Sequence, residues 1–418
     1  MENESMCRQS LLVVSSWLLL CVPVQAENDW TGWLGPNRNG WVESFTPPQQ
    51  WTKSLLKNWQ VDVGTGYGSP LVVGDRVLLH TRQGEQEVVR CLDIHSGAET
   101  WRQSDPVPFK IGGGGERHGK GPKSCPVYAN GRLFTLSITG TLRAWNAETG
   151  ERLWERDFAD EFQSNQPYWG VSTSPIVVDG MVIAHFGNDQ QGALLALDAA
   201  TGEEKWRHGN DGTSYSSPLL ATFCETPQIV EWNHRALVSV AVETGVPLWE
   251  VEFPHEGHNQ NMPTPVLFED RVVLGGENRG IHCYLPQRNA DGEWSVEETW
   301  EQPELALDMS TPIRNGKFLY GFSHYNSGQL FCLDPTDGTV LWRGSARAGQ
   351  NVTFLSVPGY VLALMDHGKL NVLSADGDKT SVVQSYPVSQ APTWAPPVLR
   401  SDGILVKDRD TLIRWVFP

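Results

Sequence analysis

Eight positions along the chain share one local context and carry side chains suited to binding. In six places a small polar residue and a proline (Pro70, Pro126, Pro175, Pro218, Pro265 and Pro312) lead into an apolar strand, and two weaker copies start at Phe354 and Pro397. Three residues before these anchors stand Tyr67, Lys123, Ser172 and Tyr215, then Met262, Met309, Asn351 and Trp394. Trp169, Asn261 and Asp308 lie close to the same column. Aromatic faces and thioethers beside a few polar groups are the usual lining of a ligand pocket. If the eight segments converge, these side chains ring one concavity; the competing reading is that they pack segment against segment.

Other chemistry is sparse. FKIGGGGERHGKGPKSCP, from Phe109 to Pro126, combines four consecutive glycines with Lys110, Arg117, His118, Lys120 and Lys123. Glycine N–H groups and lysines could gather a carboxylate or phosphate, but the spacing is not that of a phosphate-binding loop and it leads into a strand. A mobile surface loop is the favoured reading, since loop glycines usually serve chain flexibility. His255 and His258 have HxxH spacing without a helix or a third ligand, which argues against zinc. There is no CxxC, no CxxCH and no adjacent cysteine pair.

The elements that position these residues are legible as a repeat. ALLALDAATGEEKW, ending at Trp206, reads as a hairpin: an apolar run, an aspartate to cap the turn, a glycine, and a tryptophan on the returning strand. Copies end at Trp101, Trp154, Trp249 and Trp342, and a stretched copy with an insertion around Asn289 to Gly292 ends at Trp300. Asp93, Asn146, Asp198 and Asp334 hold the capping position; Ala241 replaces it in the fourth copy. A single hairpin cannot bury its tryptophan, so a neighbour must cover it. With the proline-anchored strands this makes eight units of four short strands, an all-β, eight-bladed β-propeller of antiparallel blades. The last unit has only three strands before Pro418, and the orphan strand around Trp59 is expected to complete it and close the ring.

Residues 1–26 read as a secretory signal: Arg8, an apolar stretch from Leu11 to Val22, and a small-residue cleavage site near Ala26. The apolar stretch is shorter than a membrane span requires, and Leu20 before Cys21 argues against lipid attachment. The expected address is periplasmic or secreted. Residues 27–54 are expected to be an extended leader pinned by Trp30, Trp33 and Trp41 against the outside of the ring, followed by one propeller domain over 55–418. A formal charge of −17 excludes nucleic acid as a ready partner. Of the mature chain's cysteines, Cys91 and Cys332 occupy one slot in different blades, Cys283 lies in the matching strand and Cys125 replaces the serine before an anchoring proline, so most of these pairs are expected to be beyond disulfide reach.

The repeated LDxxTGxxxW with its preceding SP strands, together with WLGPNRNG, YWGVSTSPIV and TWAPPVL, resembles the pyrroloquinoline-quinone-like β-propeller repeat family, in its exported bacterial eight-bladed form. The resemblance implies two functions of different class. The favoured one is a non-catalytic envelope propeller, a monomeric ring without cofactor that binds a protein, peptide or small ligand at the channel mouth. The alternative is an alcohol or sugar dehydrogenase that uses pyrroloquinoline quinone and Ca²⁺. For that alternative the usual vicinal disulfide is absent, and Asn261 and Asp308 are the candidate calcium ligands.

Overall fold

The computed structural model describes residues 29–163, 166–256 and 261–418. The signal segment and His258 therefore lie outside the described residues. Eight four-stranded antiparallel sheets follow one another along the chain. The blades span 71–106, 127–156, 176–208, 219–252, 266–302, 313–343, 352–387 and 398–416. The eighth is completed by Leu56–Asp62, which pairs antiparallel with Thr411–Val416 and sets Trp59 opposite Arg414. First strand and last thus close the circle, which is how the ring avoids an open edge.

Burial explains the sequence pattern blade by blade. Gly192–Asp198 is buried along nearly its whole length, between its own sheet neighbours and the adjoining blade, so it reads as an unbroken apolar run. The outermost strand, Glu204–His208, is mostly exposed and turns only Trp206 inward. That indole packs across the gap: its Nε1 donates to Val242 O at 2.9 Å in the next blade, over the turn glycine Gly245. Trp59, Trp101, Trp154 and Trp300 make the same step into their following blades, donating to Ile94 O, Ala147 O, Ala199 O and Pro335 O. Trp249 departs from the rule and donates to Gln228 Oε1 of its own blade; the blade beyond it is the one with the inserted turn at 289–292.

The small polar residue before each anchoring proline has an equally physical reason. The backbone N–H of Ser69 donates to Cys125 Sγ at 3.1 Å, that of Cys125 to Ser174 Oγ at 3.0 Å, and that of Ser174 to Ser217 Oγ at 2.9 Å. Ser217 N continues to Thr264 Oγ1 at 3.1 Å and Thr264 N to Thr311 Oγ1 at 3.0 Å. Five successive bonds, each crossing to the next blade, form a belt around the axis and fix the height at which six blades begin. Side chains two residues apart on an extended segment share a face. The belt residue Ser217 and Tyr215, two positions earlier, therefore both line the axial opening.

The leader does not lie on the outside of the ring, as its tryptophans suggested. It crosses the axis. Trp30 exchanges backbone hydrogen bonds with Val72 in the first blade (2.7 and 3.0 Å), and Thr31 O accepts from Tyr128 N in the second. Arg38 donates to Ser174 O at 3.0 Å and Pro175 O at 2.8 Å at the start of the third. Gly40 O then accepts from Ser356 N in the seventh blade. The physical reason is the innermost strand of each blade, whose free edge faces the channel with unpaired backbone groups that a passing chain can satisfy. Only the later part reaches the rim, where Trp51 stands edge-on to Tyr360 and Phe417.

Candidate functional site

Because the leader spans the channel, the opposite mouth becomes a blind pocket. A cavity of about 480 Å³ lies there, with Trp33 and Leu34 of the leader among its lining residues. On the leader's other side a larger opening of about 1070 Å³ is lined mainly by the leader and the innermost strands. It too has aromatic and charged residues in its lining, among them Trp41, Tyr128, Arg38 and Glu269, but the column of residues before the anchoring prolines opens on the mouth cavity, which is therefore taken as the candidate.

Of the residues singled out from sequence, Tyr67, Lys123, Trp169 and Tyr215 line the cavity, as do Asp308, Asn351 and Trp394. Tyr67 and Trp394, from the first and eighth blade entries, stack at 5.5 Å with an interplanar angle of 16°. Trp169 and Tyr215 face each other at 5.8 Å, and the Tyr215 hydroxyl accepts Trp169 N–H at 3.2 Å. Lys123 Nζ donates to Trp169 O at 2.7 Å; burial lowers its pKa to about 8. Asn351 Oδ1 accepts the Ser310 hydroxyl at 2.7 Å. Asp308 is held up to about 6, by burial first and by neighbouring Glu277 second, with Arg117 acting the other way.

Asn261 is the exception. Its amide is consumed: Nδ2 donates to Asn233 O at 2.7 Å, and Oδ1 accepts Arg279 Nη2 at 2.9 Å. Its backbone carbonyl holds the N–H groups of Tyr215 and Ser216. It braces the wall and does not line the cavity.

Arg117, His118 and Glu277 line it as well; from sequence, Arg117 and His118 belong to a loop that could gather an anion but reads rather as a mobile surface loop, and Glu277 does not stand out as a site residue. The glycine-rich loop folds over the mouth: Gly112 N donates to Tyr168 O at 3.2 Å and Gly113 N to Tyr168 Oη at 2.8 Å. Arg117 Nε–H can only donate, so His118 Nε2, 3.1 Å away, accepts. The neutral ring then carries its proton on Nδ1 and donates it to the Tyr67 oxygen at 3.1 Å, leaving the phenol's own proton for another acceptor. Burial, then Arg117 and Lys123, lower the His118 pKa to about 4 and keep it neutral. The density of basic residues between glycines was the available signal. Glu277 belongs to a stretch that reads as an ordinary turn, and Trp33 sits in a leader without periodicity.

The belt hydroxyls of Ser174 and Ser217 accept backbone N–H bonds, and Ser172 Oγ donates to Tyr215 O at 3.2 Å. Among the described lining residues the hydroxyl hydrogen-bonded to a histidine is the Tyr67 phenol, and with His118 Nδ1 as the donor the ring does not take the phenol's proton as an activating base would. Elsewhere, His282, Glu298 and Glu301 bring ligand atoms within 4.8 Å of one another on the fifth blade. Both ring nitrogens of His282 are already engaged, by Glu298 Oε1 at 2.9 Å and Arg279 O at 2.7 Å. His255 packs edge-on against His234 with ring centroids 3.8 Å apart.

Comparison with known proteins agrees with this architecture. A family model described as outer membrane protein assembly factor BamB matches residues 84–344. The chain is 23% identical over 303 residues to outer membrane protein assembly factor BamB of Shewanella oneidensis, covering 70% of this chain and 73% of that protein. It is 28% identical over 360 residues to the dehydrogenase subunit of a quinone alcohol dehydrogenase of Acetobacter aceti, covering 76% of this chain but only 46% of the subunit. Among solved structures, BamB from Moraxella catarrhalis superposes with a TM-score of 0.60 at 13% identity, over 87% of this chain and all of that one. Quinohemoprotein alcohol dehydrogenase from Comamonas testosteroni gives 0.65 at 13% identity, over 94% and 81%. The structural likenesses establish the propeller; the matched family model establishes that this chain belongs to the family described as outer membrane protein assembly factor BamB.

Proposed function

We propose that the protein is a non-catalytic, exported propeller that holds a small ligand, or a peptide segment of an envelope protein, in the cavity at the channel mouth. The observation that carries this is the blind pocket itself: aromatic, basic and acidic side chains from opposite blades converge on a chamber whose far end the chain's own leader closes. The relatives named for outer membrane assembly support an envelope address, reached after removal of residues 1–26, and a scaffold role for the ring.

The likeness to quinone alcohol dehydrogenases favours a second reading, in which the channel would hold pyrroloquinoline quinone and Ca²⁺. The residues present do not fit the ion. Asn261 Oδ1 is already bonded to a guanidinium, a cation where a second cation would have to sit, and Asn261 and Asp308 are not brought into one oxygen cage of the kind calcium needs.

Titrating the purified mature chain with quinone plus Ca²⁺, and separately with candidate ligands, distinguishes the readings. The proposal expects no dye reduction with alcohols or sugars, and ligand-dependent tryptophan fluorescence that Trp394→Ala abolishes. Saturable, quinone-dependent dye reduction would overturn it. Size-exclusion chromatography with light scattering is expected to return a monomer.

A further inference from the structure

The charged groups at the mouth are sorted by blade. Lys123 leads into the second blade and Asp308 into the sixth. In an eight-membered ring these entries are four steps apart, so they face each other across the opening. Arg117, on the loop before the second blade, reinforces the basic side; Glu277, in the fifth blade, reinforces the acidic one. The aromatic residues stand on either side of the line joining these two entries, Trp169 and Tyr215 at the third and fourth entries, Tyr67 and Trp394 at the first and eighth. A chamber with opposite charges at its two ends and aromatic walls along its flanks has the shape of its ligand written into it.

Asp308 sharpens the point. It lines the cavity, and among the described residues it makes no hydrogen bond and no close ion pair, the Arg117 cation acting on it only at longer range. A half-desolvated carboxylate without a partner is costly in a resting protein unless a visitor supplies the donor. On the facing wall the terminal nitrogens of Arg117 likewise make no hydrogen bond among the described residues, its Nε alone being used by His118.

Building on the reading that the mouth holds a ligand, we propose that this ligand is a small zwitterion with an apolar body, an α-amino acid or short peptide. Its ammonium is met by Asp308 and Glu277, its carboxylate by Arg117 and Lys123, and its side chain lies between the aromatic walls.

The test is calorimetric titration of the mature protein with L-phenylalanine, N-acetyl-L-phenylalanine and L-phenylalaninamide, alongside glucose, succinate and putrescine. L-phenylalanine is expected to bind, and each blocked form to bind more than about tenfold more weakly, because a site built around buried charges rejects an analogue that leaves one unpaired. Asp308→Asn should erase discrimination against the N-acetyl form, and Arg117→Gln discrimination against the amide, with near-ultraviolet dichroism confirming that both variants fold. Blocked forms that bind as well as the parent, or no binding of L-phenylalanine, would overturn the zwitterion. If glucose, succinate or putrescine binds instead and Trp394→Ala removes that binding, the mouth is a ligand site of another class. If no probe gives a response that Trp394→Ala alters, the ligand-site reading falls as well.

Discussion

At position 125 the chain uses a thiol where the neighbouring belt positions use hydroxyls. Cys125 Sγ accepts Ser69 N–H, and burial raises its pKa to about 11, so it acts as a neutral acceptor and not as a thiolate. Cys125→Ser is therefore expected to leave stability within about 1 kcal/mol of the parent, whereas Cys125→Val orphans a buried N–H and should cost about 1–3 kcal/mol in urea denaturation. Asp308 gives a pH-dependent prediction. Its raised pKa means that the fold binds the proton more tightly than the unfolded chain does. Its contribution is thus most favourable below the ordinary carboxylate value of 3.8 and is lost as pH rises through about 6. Glu277 and Arg117 face it and modulate the step. Asp308→Asn should match the parent near pH 4 and exceed it by roughly 2–3 kcal/mol near pH 8, read from the difference between paired denaturation curves.

Elements are locked to one another by indoles seated on glycines. A Cβ at Gly202, where φ is +72°, would meet Trp154 Cδ2 at 2.8 Å, whereas one at Gly131, where φ is +80°, would meet nothing within 4 Å. Alanine at either position suffers the left-handed backbone, about 1–2 kcal/mol. Gly202→Ala must also displace an indole, and its denaturation midpoint should fall clearly further than that of Gly131→Ala. The leader depends on a different lock. Arg38 is buried, and although burial lowers its pKa to about 10 it remains a cation at neutral pH. Replacing it with Met would leave the Ser174 and Pro175 carbonyls without their charged donor, at a cost of about 2–4 kcal/mol. Limited proteolysis should then cut within residues 29–45 before the propeller, because the strap across the axis has lost its central tie.

On the scale of the molecule, the described residues are held by closure of the ring, with no disulfide among them. Cys91, Cys125, Cys224, Cys283 and Cys332 are all unpaired thiols, so a reducing agent is expected to leave the thermal midpoint unchanged. Trp59 joins the ends of the chain: it sits in the strand that completes the eighth blade, and its Nε1 donates to Ile94 O at 2.8 Å in the first. Trp59→Ala should cost about 2–4 kcal/mol and, unlike Trp206→Ala, loosen the seam between chain termini, seen as faster amide exchange in Leu56–Asp62 and Thr411–Val416.

The repeat was readable because its causes are local. A glycine at a left-handed turn, an aspartate whose Oδ1 accepts the N–H groups of Ala200 and Thr201, and a tryptophan on the returning strand recur wherever the same hairpin recurs. From them follow the number of blades, the closing strand and the column of residues at the mouth, because a ring turns equal spacing in sequence into equal placement around an axis. Tertiary structure alone decided what has no period. Nothing in residues 29–42 announces that the leader crosses the channel, since its partners are backbone edges that every blade presents. The glycine-rich loop could have lain anywhere on the surface until Tyr168 and the mouth fixed Arg117 and His118 over the cavity. Asn261, next to the column in sequence, was drawn out of it by Arg279, a partner 18 residues away that spacing could not supply.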